Sequence, residues 1–297
     1  PNACANCGPQ VQVRVNNKQY LACSEREATE DPISTVQHLL AEGGIVAVKG
    51  LGGFHLACDA TNHDAVTRLR ERKGRASKPF AVMVSDLAAV RSVAYINQQE
   101  AALLYGPQRP ILLLDKRASS RLSSAIAPGN NTVGIMLPYT PLHFLLFDQV
   151  NSSSDQSAPP QPGNLLVMTS ANFSGQPIVK DNNEAREKLA TIADGFLFHD
   201  RDIHVQCDDS VVRFFRGVEL PVRRSRGYAP LPVKLPFEVE PTLAVGGELK
   251  STFALANADY AFVSQHLGDM ENLETLTAFG RAVDHMQAIF RIEPGLI

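Results

Sequence analysis

The sequence predicts an α/β protein with a ligand site at the mouth of an open sheet. Three observations lead there. Short apolar runs, Ile45 to Val48, Phe80 to Val84 and Leu165 to Met168, have the length of buried strands. Helix-start signals stand between such runs, at Asp31-Pro32 and at Thr61-Asn62-His63-Asp64. The second of these helices ends in Arg70 to Lys78, five basic residues and one acid in nine positions, and runs straight into Phe80. A helix that ends in a basic turn and feeds a buried strand puts its charge where open α/β sheets bind ligands. Lysine as a point charge and arginine as a planar fork suit phosphates. The other reading of these residues is a solvated helix end whose cations offset the dipole.

Bulk properties narrow the classes. A chain of 297 residues suggests roughly two domains. With 44% hydrophobic and 20% charged residues it can bury a sizeable core. The net charge of -3, from 28 Lys+Arg and 31 Asp+Glu, excludes a chain-wide basic field for nucleic acid. Local basic clusters on that background suggest a small polyanion instead. No apolar run approaches the ~20 residues of a membrane span, and no signal-peptide pattern opens the sequence. Five cysteines read as cytosolic thiols, so a cytoplasmic protein without membrane association is expected.

The elements follow in order. Cys4 and Cys7, spaced Cys-x-x-Cys, read as the last half of a zinc module whose other ligands lie upstream; a redox or incidental pair is the alternative. Cys23 is one further thiol, and three thiolates leave a tetrahedral site incomplete, so zinc is expected only with the whole module. Val11 to Val15 and Lys18 to Cys23 predict a hairpin around Asn16-Asn17. Asp31 caps a helix with Ile33, Val36, Leu39 and Leu40 inward, and His38 is read as partly buried and structural. After the strand Ile45 to Val48 comes Lys49-Gly50-Leu51-Gly52-Gly53-Phe54-His55. Its glycines permit close approach to a ligand, but His55 occupies the third glycine of a dinucleotide fingerprint. No P-loop sequence occurs anywhere.

Ser85 is expected to cap one short helix, and Asn97 with Glu100 the next, which stops at Gly106-Pro107. Strands are predicted at Ile111 to Leu114 and Val133 to Leu137, with a loop-rich span, Ala118 to Asn131, between them. Thr140 caps the apolar helix Leu142 to Phe147. Asn151 to Gly163, polar and rich in Ser and Pro, predicts a mobile loop. The strand Leu165 to Met168 ends in Thr169-Ser170-Ala171-Asn172, whose hydroxyls and amide can hold phosphate or carboxylate oxygens or simply bond their own turn. Asp181 with Glu184 caps a further helix. Asp208 and Asp209 are read as metal carboxylates or as solvated loop acids. Val222 to Tyr228 is a second basic cluster. Proline-rich spacing from Pro230 to Pro241 predicts a domain boundary, followed by strands at Phe253 to Leu255 and Ala261 to Val263 and an amphipathic helix from about Asn272 to Phe290.

Taken together, these motifs resemble a known family. Gly50 to Ala60 (GLGGFHLACDA), Lys78 to Met83, Thr169 to Pro177, Arg224 to Pro230 and Ser264 to Asp269 (SQHLGD) are similar to the YrdC-like fold and, in detail, to the HypF carbamoyltransferases of nickel–iron hydrogenase maturation. The resemblance implies a twisted mixed sheet with helices around a concave ligand cavity. It divides the chain into residues 1–24 as the end of a zinc-finger module, 25–235 as the YrdC-like domain, and 241–297 as the start of a truncated actin-like ATPase-fold domain. It implies that carbamate, derived from carbamoyl phosphate, is joined to ATP with Mg2+, giving carbamoyl adenylate and pyrophosphate. The carbamoyl group would then pass to HypE and become a cyanide ligand.

The family's Lys-x-Arg and Ser-x-Asn sets fall on Lys73, Arg75, Ser170 and Asn172, the expected catalytic residues. Lys49, Gly52, Gly53 and His55 are expected at the carbamate end. Thr169, Ser210, Arg213 and one of Arg223 or Arg224 are expected on the nucleotide. Lys49 stands where related threonylcarbamoyl-adenylate synthases usually carry Tyr, which favours a different acyl substrate. Two alternatives stay open: a threonylcarbamoyl-adenylate synthase for tRNA modification, and a non-catalytic module for nucleotide or double-stranded RNA. RNA affinity rests on fold analogy alone, and only eight of the 28 Lys+Arg lie in the two clusters.

Overall fold

The structure, a computed structural model, describes residues 8–15, 31–148, 165–173 and 175–297. The Cys4, Cys7 and Cys23 thiols, the strand expected at Lys18 to Cys23 and the loop Asn151 to Gly163 lie outside the described residues. Twelve strands are described: β1 (Val11–Val15), β2 (Val46–Lys49), β3 (Phe54–Asp59), β4 (Ala81–Val84), β5 (Ile111–Asp115), β6 (Thr132–Met136), β7 (Leu165–Ser170), β8 (Gly195–His199), β9 (Val211–Phe215), β10 (Val218–Arg223), β11 (Pro232–Val245) and β12 (Phe253–Val263). The helices are α1 (Pro32–Ala41), α2 (His63–Lys73), α3 (Leu87–Val93), α4 (Gln98–Tyr105), α5 (Pro141–Phe147), α6 (Asn182–Lys188) and α7 (Leu273–Phe290).

The first ten strands form one mixed sheet in the order β1-β8-β2-β3-β7-β4-β6-β5-β9-β10. Its central strands are apolar without a break because both faces are covered. Alternate side chains enter different cores. Leu165 and Val167 of β7 pack with Val66 and Leu69 of α2 and with Val90 of α3, while Leu166 and Met168 pack with Val36 and Leu40 of α1 and with Leu142 of α5. Parallel pairs β2–β8, β4–β6 and β5–β9 interleave with antiparallel ones. Strand ends and helix ends thereby meet around one concavity.

Several expectations change. Val11–Val15 pairs antiparallel with Gly195–His199, which adds these residues to the main sheet, while the other arm of the expected hairpin, Lys18 to Cys23, lies outside the described residues. Asp86, one residue after Ser85, caps α3, accepting from the Ala89 amide. The proline-rich stretch from Pro230 to Pro241 carries strand from Pro232 onward. β11 pairs with β12 as a separate two-stranded sheet, and its register shifts between Lys234 and Val239 and again between Val239 and Thr242, around Pro236 and Pro241. Each proline lacks the ladder donor, and an irregular register accommodates it. β12 is likewise one continuous strand where two were expected, with Ala258 at φ 52° marking its irregular middle.

Helix α7 packs on this ribbon through Ala282 and Met286 against Leu243, Phe253 and Leu255, with Phe262 and Phe290 stacked at 3.9 Å. Polar contacts join the small unit to the large one. Arg224 donates to the Val263 carbonyl at 2.9 Å, the His266 amide to the Arg224 carbonyl at 3.0 Å, and Asn272 to the Gly175 carbonyl at 2.7 Å.

Candidate anion-binding cavity

The basic turn is shaped by its glycine. Gly74 ends α2 in the left-handed conformation, φ 63°, and the Arg75 amide returns to the Arg70 carbonyl at 2.9 Å. That closure turns the chain sharply, so successive cations diverge. Arg70 does not face solvent. Its guanidinium donates to the carbonyls of Arg75, Ala76, Lys78, Ala125 and Ile126 and lies 4.6 Å over the Phe80 ring. It fastens the loop from Arg75 to Phe80. Arg72 pairs with Asp194 at 2.8 Å on another side. Lys73, Arg75 and Lys78 are left to line a cavity of about 1020 Å³.

Lys73 is almost wholly buried. Its ammonium donates to the Ser170 carbonyl at 2.8 Å, to the Asn172 carbonyl and to Asn172 Oδ1 at 2.7 Å. Asn172 Oδ1 also accepts from Ser170 Oγ at 3.0 Å, and Asn172 Nδ2 donates to the Gln176 carbonyl. The Ser170–Asn172 turn, expected to hold ligand oxygens, therefore holds the cation. Burial, and after it the Arg75 charge, pushes the Lys73 pKa down to about 7. Arg75 is pushed down to about 10, by burial and then by Arg70 and Arg223, and so keeps its charge at neutral pH.

Arg223, at the end of β10, completes the inner set. Its Nε donates to the Asp209 carbonyl at 3.0 Å and its Nη1 lies 3.6 Å from Asp208. Asp208 also accepts from His266 Nδ1 at 3.2 Å. Asp209 meets His55 Nε2 at 2.9 Å and Arg226 Nε at 2.8 Å, and Arg226 lies 3.6 Å over the Tyr139 ring. Burial alone would raise the Asp209 pKa, but the His55 hydrogen bond and the Arg226 charge hold it well below the usual carboxylate range. Asp208 is held down in the same way against burial, by Arg223 and His266. Neither is a solvated loop acid. Among the described residues no group of three or more His, Cys, Asp or Glu could hold a metal ion. The Cys207 thiol on the cavity wall is pushed up to about 11, chiefly by burial, so it is not a thiolate nucleophile at neutral pH.

Of the residues expected to act, Lys73, Arg75, Ser170, Asn172, Thr169 and Arg223 line this cavity. The others are placed elsewhere. Lys49 is buried and donates to the carbonyls of His199 and Arg201 at 3.0 and 2.7 Å. Gly52 packs on the Cys207 carbonyl, which an added Cβ would meet at 2.2 Å, and Gly53 packs on Ile178. His55 sits behind the wall on Asp209. Ser210 accepts from the Ser225 amide at 2.7 Å and donates to the Arg226 carbonyl at 2.9 Å, fixing the second basic cluster from behind. Arg224 ties the two units together. Arg213 is exposed on a separate shallow groove beside Tyr95 and Arg117. Sequence reasoning missed Arg70, Arg226 and Asp208 as organisers. It also missed the cavity's outer wall, which Lys250, His266, Asp269, Arg281 and His285 contribute. His266 and Asp269 belong to the Ser264–Asp269 motif, but nothing local assigns any of the five to this wall, since only folding brings them to the cavity of Lys73.

Seven Lys and Arg against three Asp line the cavity, inside a chain of net charge -3. Fold and cavity together define an α/β protein that gathers cations at strand ends, an arrangement whose charge suits an anionic ligand. The chain belongs to the Sua5/YciO/YrdC family: residues 38–225 match that family, described as Telomere recombination, and residues 238–297 match the HypF Kae1-like domain. It is 50% identical over 274 residues to carbamoyltransferase HypF2 of Cupriavidus necator, covering 90% of this chain and 34% of that protein. A solved structure of full-length HypF in a phosphate- and nucleotide-bound form superposes with TM-score 0.88 at 41% identity, over 99% of this chain and 36% of that one. The threonylcarbamoyl-AMP synthase of Bacillus subtilis is more distant, 29% identical over 185 residues, 59% of this chain and 50% of that protein. The chain thus spans about a third of the length of the carbamoyltransferases it matches. Among the described residues no helix is long and apolar enough to cross a membrane.

Proposed function

We propose that this cavity joins carbamate to ATP, forming carbamoyl adenylate and releasing pyrophosphate. This is the adenylating step of carbamoyl transfer to HypE in hydrogenase maturation, with the carbamate derived from carbamoyl phosphate. The observation that carries the reading is the immobilised Lys73 ammonium, held by one turn beside Arg75 and Arg223 in a single cationic cavity. Attack of a carbamate oxygen on the α-phosphorus builds charge on the phosphoryl oxygens. Cations fixed beforehand stabilise that charge without reorganising. Because all three Lys73 N–H bonds already have acceptors, this residue acts on the ligand chiefly through its charge. Arg75 and Arg223 keep N–H bonds for phosphate oxygens, and Thr169 supplies a hydroxyl on the same wall. Mg2+ offsets the triphosphate charge and would be held by phosphate oxygens and water, since the described residues offer it no carboxylate cluster.

ATP–pyrophosphate exchange tests this. With Mg2+ and carbamate, from bicarbonate and ammonia, exchange is expected; threonine should not be required. Exchange that needs threonine plus bicarbonate and ignores carbamate would transfer the chain to threonylcarbamoyl adenylation. Salt-dependent RNA binding with no exchange at all would make it a binding module.

A further inference from the structure

The cavity has a second cationic end that chemistry beside Lys73 leaves unused. Helix α7 presents Ala278, Arg281, Ala282 and His285 to it. That spacing puts the four on one helix face, and the two alanines leave room around the guanidinium and the imidazole. Lys180 and His204 line the same space from the large unit. Lys180 Nζ donates to the His204 carbonyl at 2.9 Å, and the His204 ring packs edge-on to His285 with centroids 5.2 Å apart. Two units therefore meet there through their bases. Among the described residues neither Lys180 nor Arg281 has an acidic partner, and Arg281 has no hydrogen-bond partner either.

Cations left unpaired on a cavity wall repel one another unless an anion joins them. The volume of about 1020 Å³ lies at the top of the usual range for small-molecule sites, roughly 300–1,000 Å³. That leaves room for an extended ligand reaching from the inner cations to these. A carbamate is too small and carries one charge; a chain of phosphates has the length and the charge.

We propose that Lys180, Arg281 and the His204–His285 pair form a second anion subsite, which takes the terminal phosphates of ATP while Lys73 and Arg75 face the α-phosphorus. The inference rests on the adenylating reading and extends it. As the carbamate oxygen bonds to the α-phosphorus, the bond from that phosphorus to the bridging oxygen breaks. The electron pair stays on the bridging oxygen, and pyrophosphate departs with the added charge. A cationic end at that position stabilises the leaving group as the charge grows. It also makes α7 part of the nucleotide site, so both units close on one substrate.

Calorimetric titration of the whole chain with ATP, AMP and inorganic pyrophosphate, each with Mg2+, tests the subsite. Arg281→Glu changes an exposed helix position, and thermal melting checks that the variant folds. It should weaken ATP and pyrophosphate binding about tenfold or more, the scale of one charge-assisted contact, and leave AMP binding unchanged. Lys180→Ala should show the same pattern from the opposite wall. AMP affinity falling in parallel with ATP, or ATP affinity holding in both variants, would overturn the subsite and leave adenylation standing. A parent chain that binds neither nucleotide would overturn both.

Discussion

All three N–H bonds of the Lys73 ammonium end on oxygens of the Ser170–Asn172 turn, which makes the charge fixed and also vulnerable. Lys73→Ala should cut exchange by roughly a hundredfold or more, as loss of one preorganised charge does. Asn172→Asp is a sharper test, because it puts a carboxylate where Oδ1 lies 2.7 Å from the ammonium and cancels its charge; it should approach the Lys73→Ala rate. Ser170→Ala removes a neutral bond to Asn172 and should cost less, while Arg121→Ala, on an exposed position, should cost nothing. The pH dependence follows from the Lys73 pKa near 7. The ammonium is charged below that value and neutral above it, so kcat/KM for ATP should fall as pH rises through about 7. Lys73→Arg should remove that limb. The Lys-x-Arg and Ser-x-Asn residues were legible in the sequence as a group. Their roles were not, because side-chain spacing does not reveal that the turn's oxygens face the lysine rather than the ligand.

Helices were the legible elements, since their caps are local: Asp31, Asn97, Thr140 and Asp181 cap where the sequence places them, while the caps of α2 and α3 fall one residue later than read, on Asn62 and Asp86. β11 was not, because Pro236 and Pro241 speak against a strand and only pairing with β12 overrides them. The role of Arg70 in the Arg75–Phe80 loop was hidden for a related reason. Arg70 looks like one more surface cation in sequence, yet five carbonyls converge on it once Ala125 and Ile126 are folded alongside. Arg70→Met should lower unfolding stability by about 2–3 kcal/mol in urea titration, through loss of charge-assisted bonds to buried carbonyls. It should also slow exchange, although Arg70 is not on the cavity wall. Gly52→Ala probes the other side. A Cβ there would meet the Cys207 carbonyl at 2.2 Å, so the β2–β3 turn must move off the segment that carries Asp208 and Asp209. An overpacking penalty of about 1–3 kcal/mol is expected, with weaker nucleotide binding.

At the scale of the whole molecule, the class and the mouth-of-sheet location were readable, while the strand order was not. β1 lies beside β8 and β7 sits between β3 and β4, pairings that no local pattern specifies. The contact between units was equally hidden, and it has one further consequence. Asp208 is shared: it faces Arg223 on the side of the inner cations and His266 on the side of the β11–β12 unit. A carboxylate held by two neighbours transmits what either one feels. If ATP draws Arg223 away from Asp208, the carboxylate closes more firmly on His266, and the Ser264–Asp269 loop should then exchange its amide hydrogens more slowly. Equilibrium linkage makes the effect symmetrical. Any molecule that grips that loop must alter the affinity for ATP by the same factor by which ATP alters its own grip, so a binding event on the small unit can be read, in free energy, at Arg223.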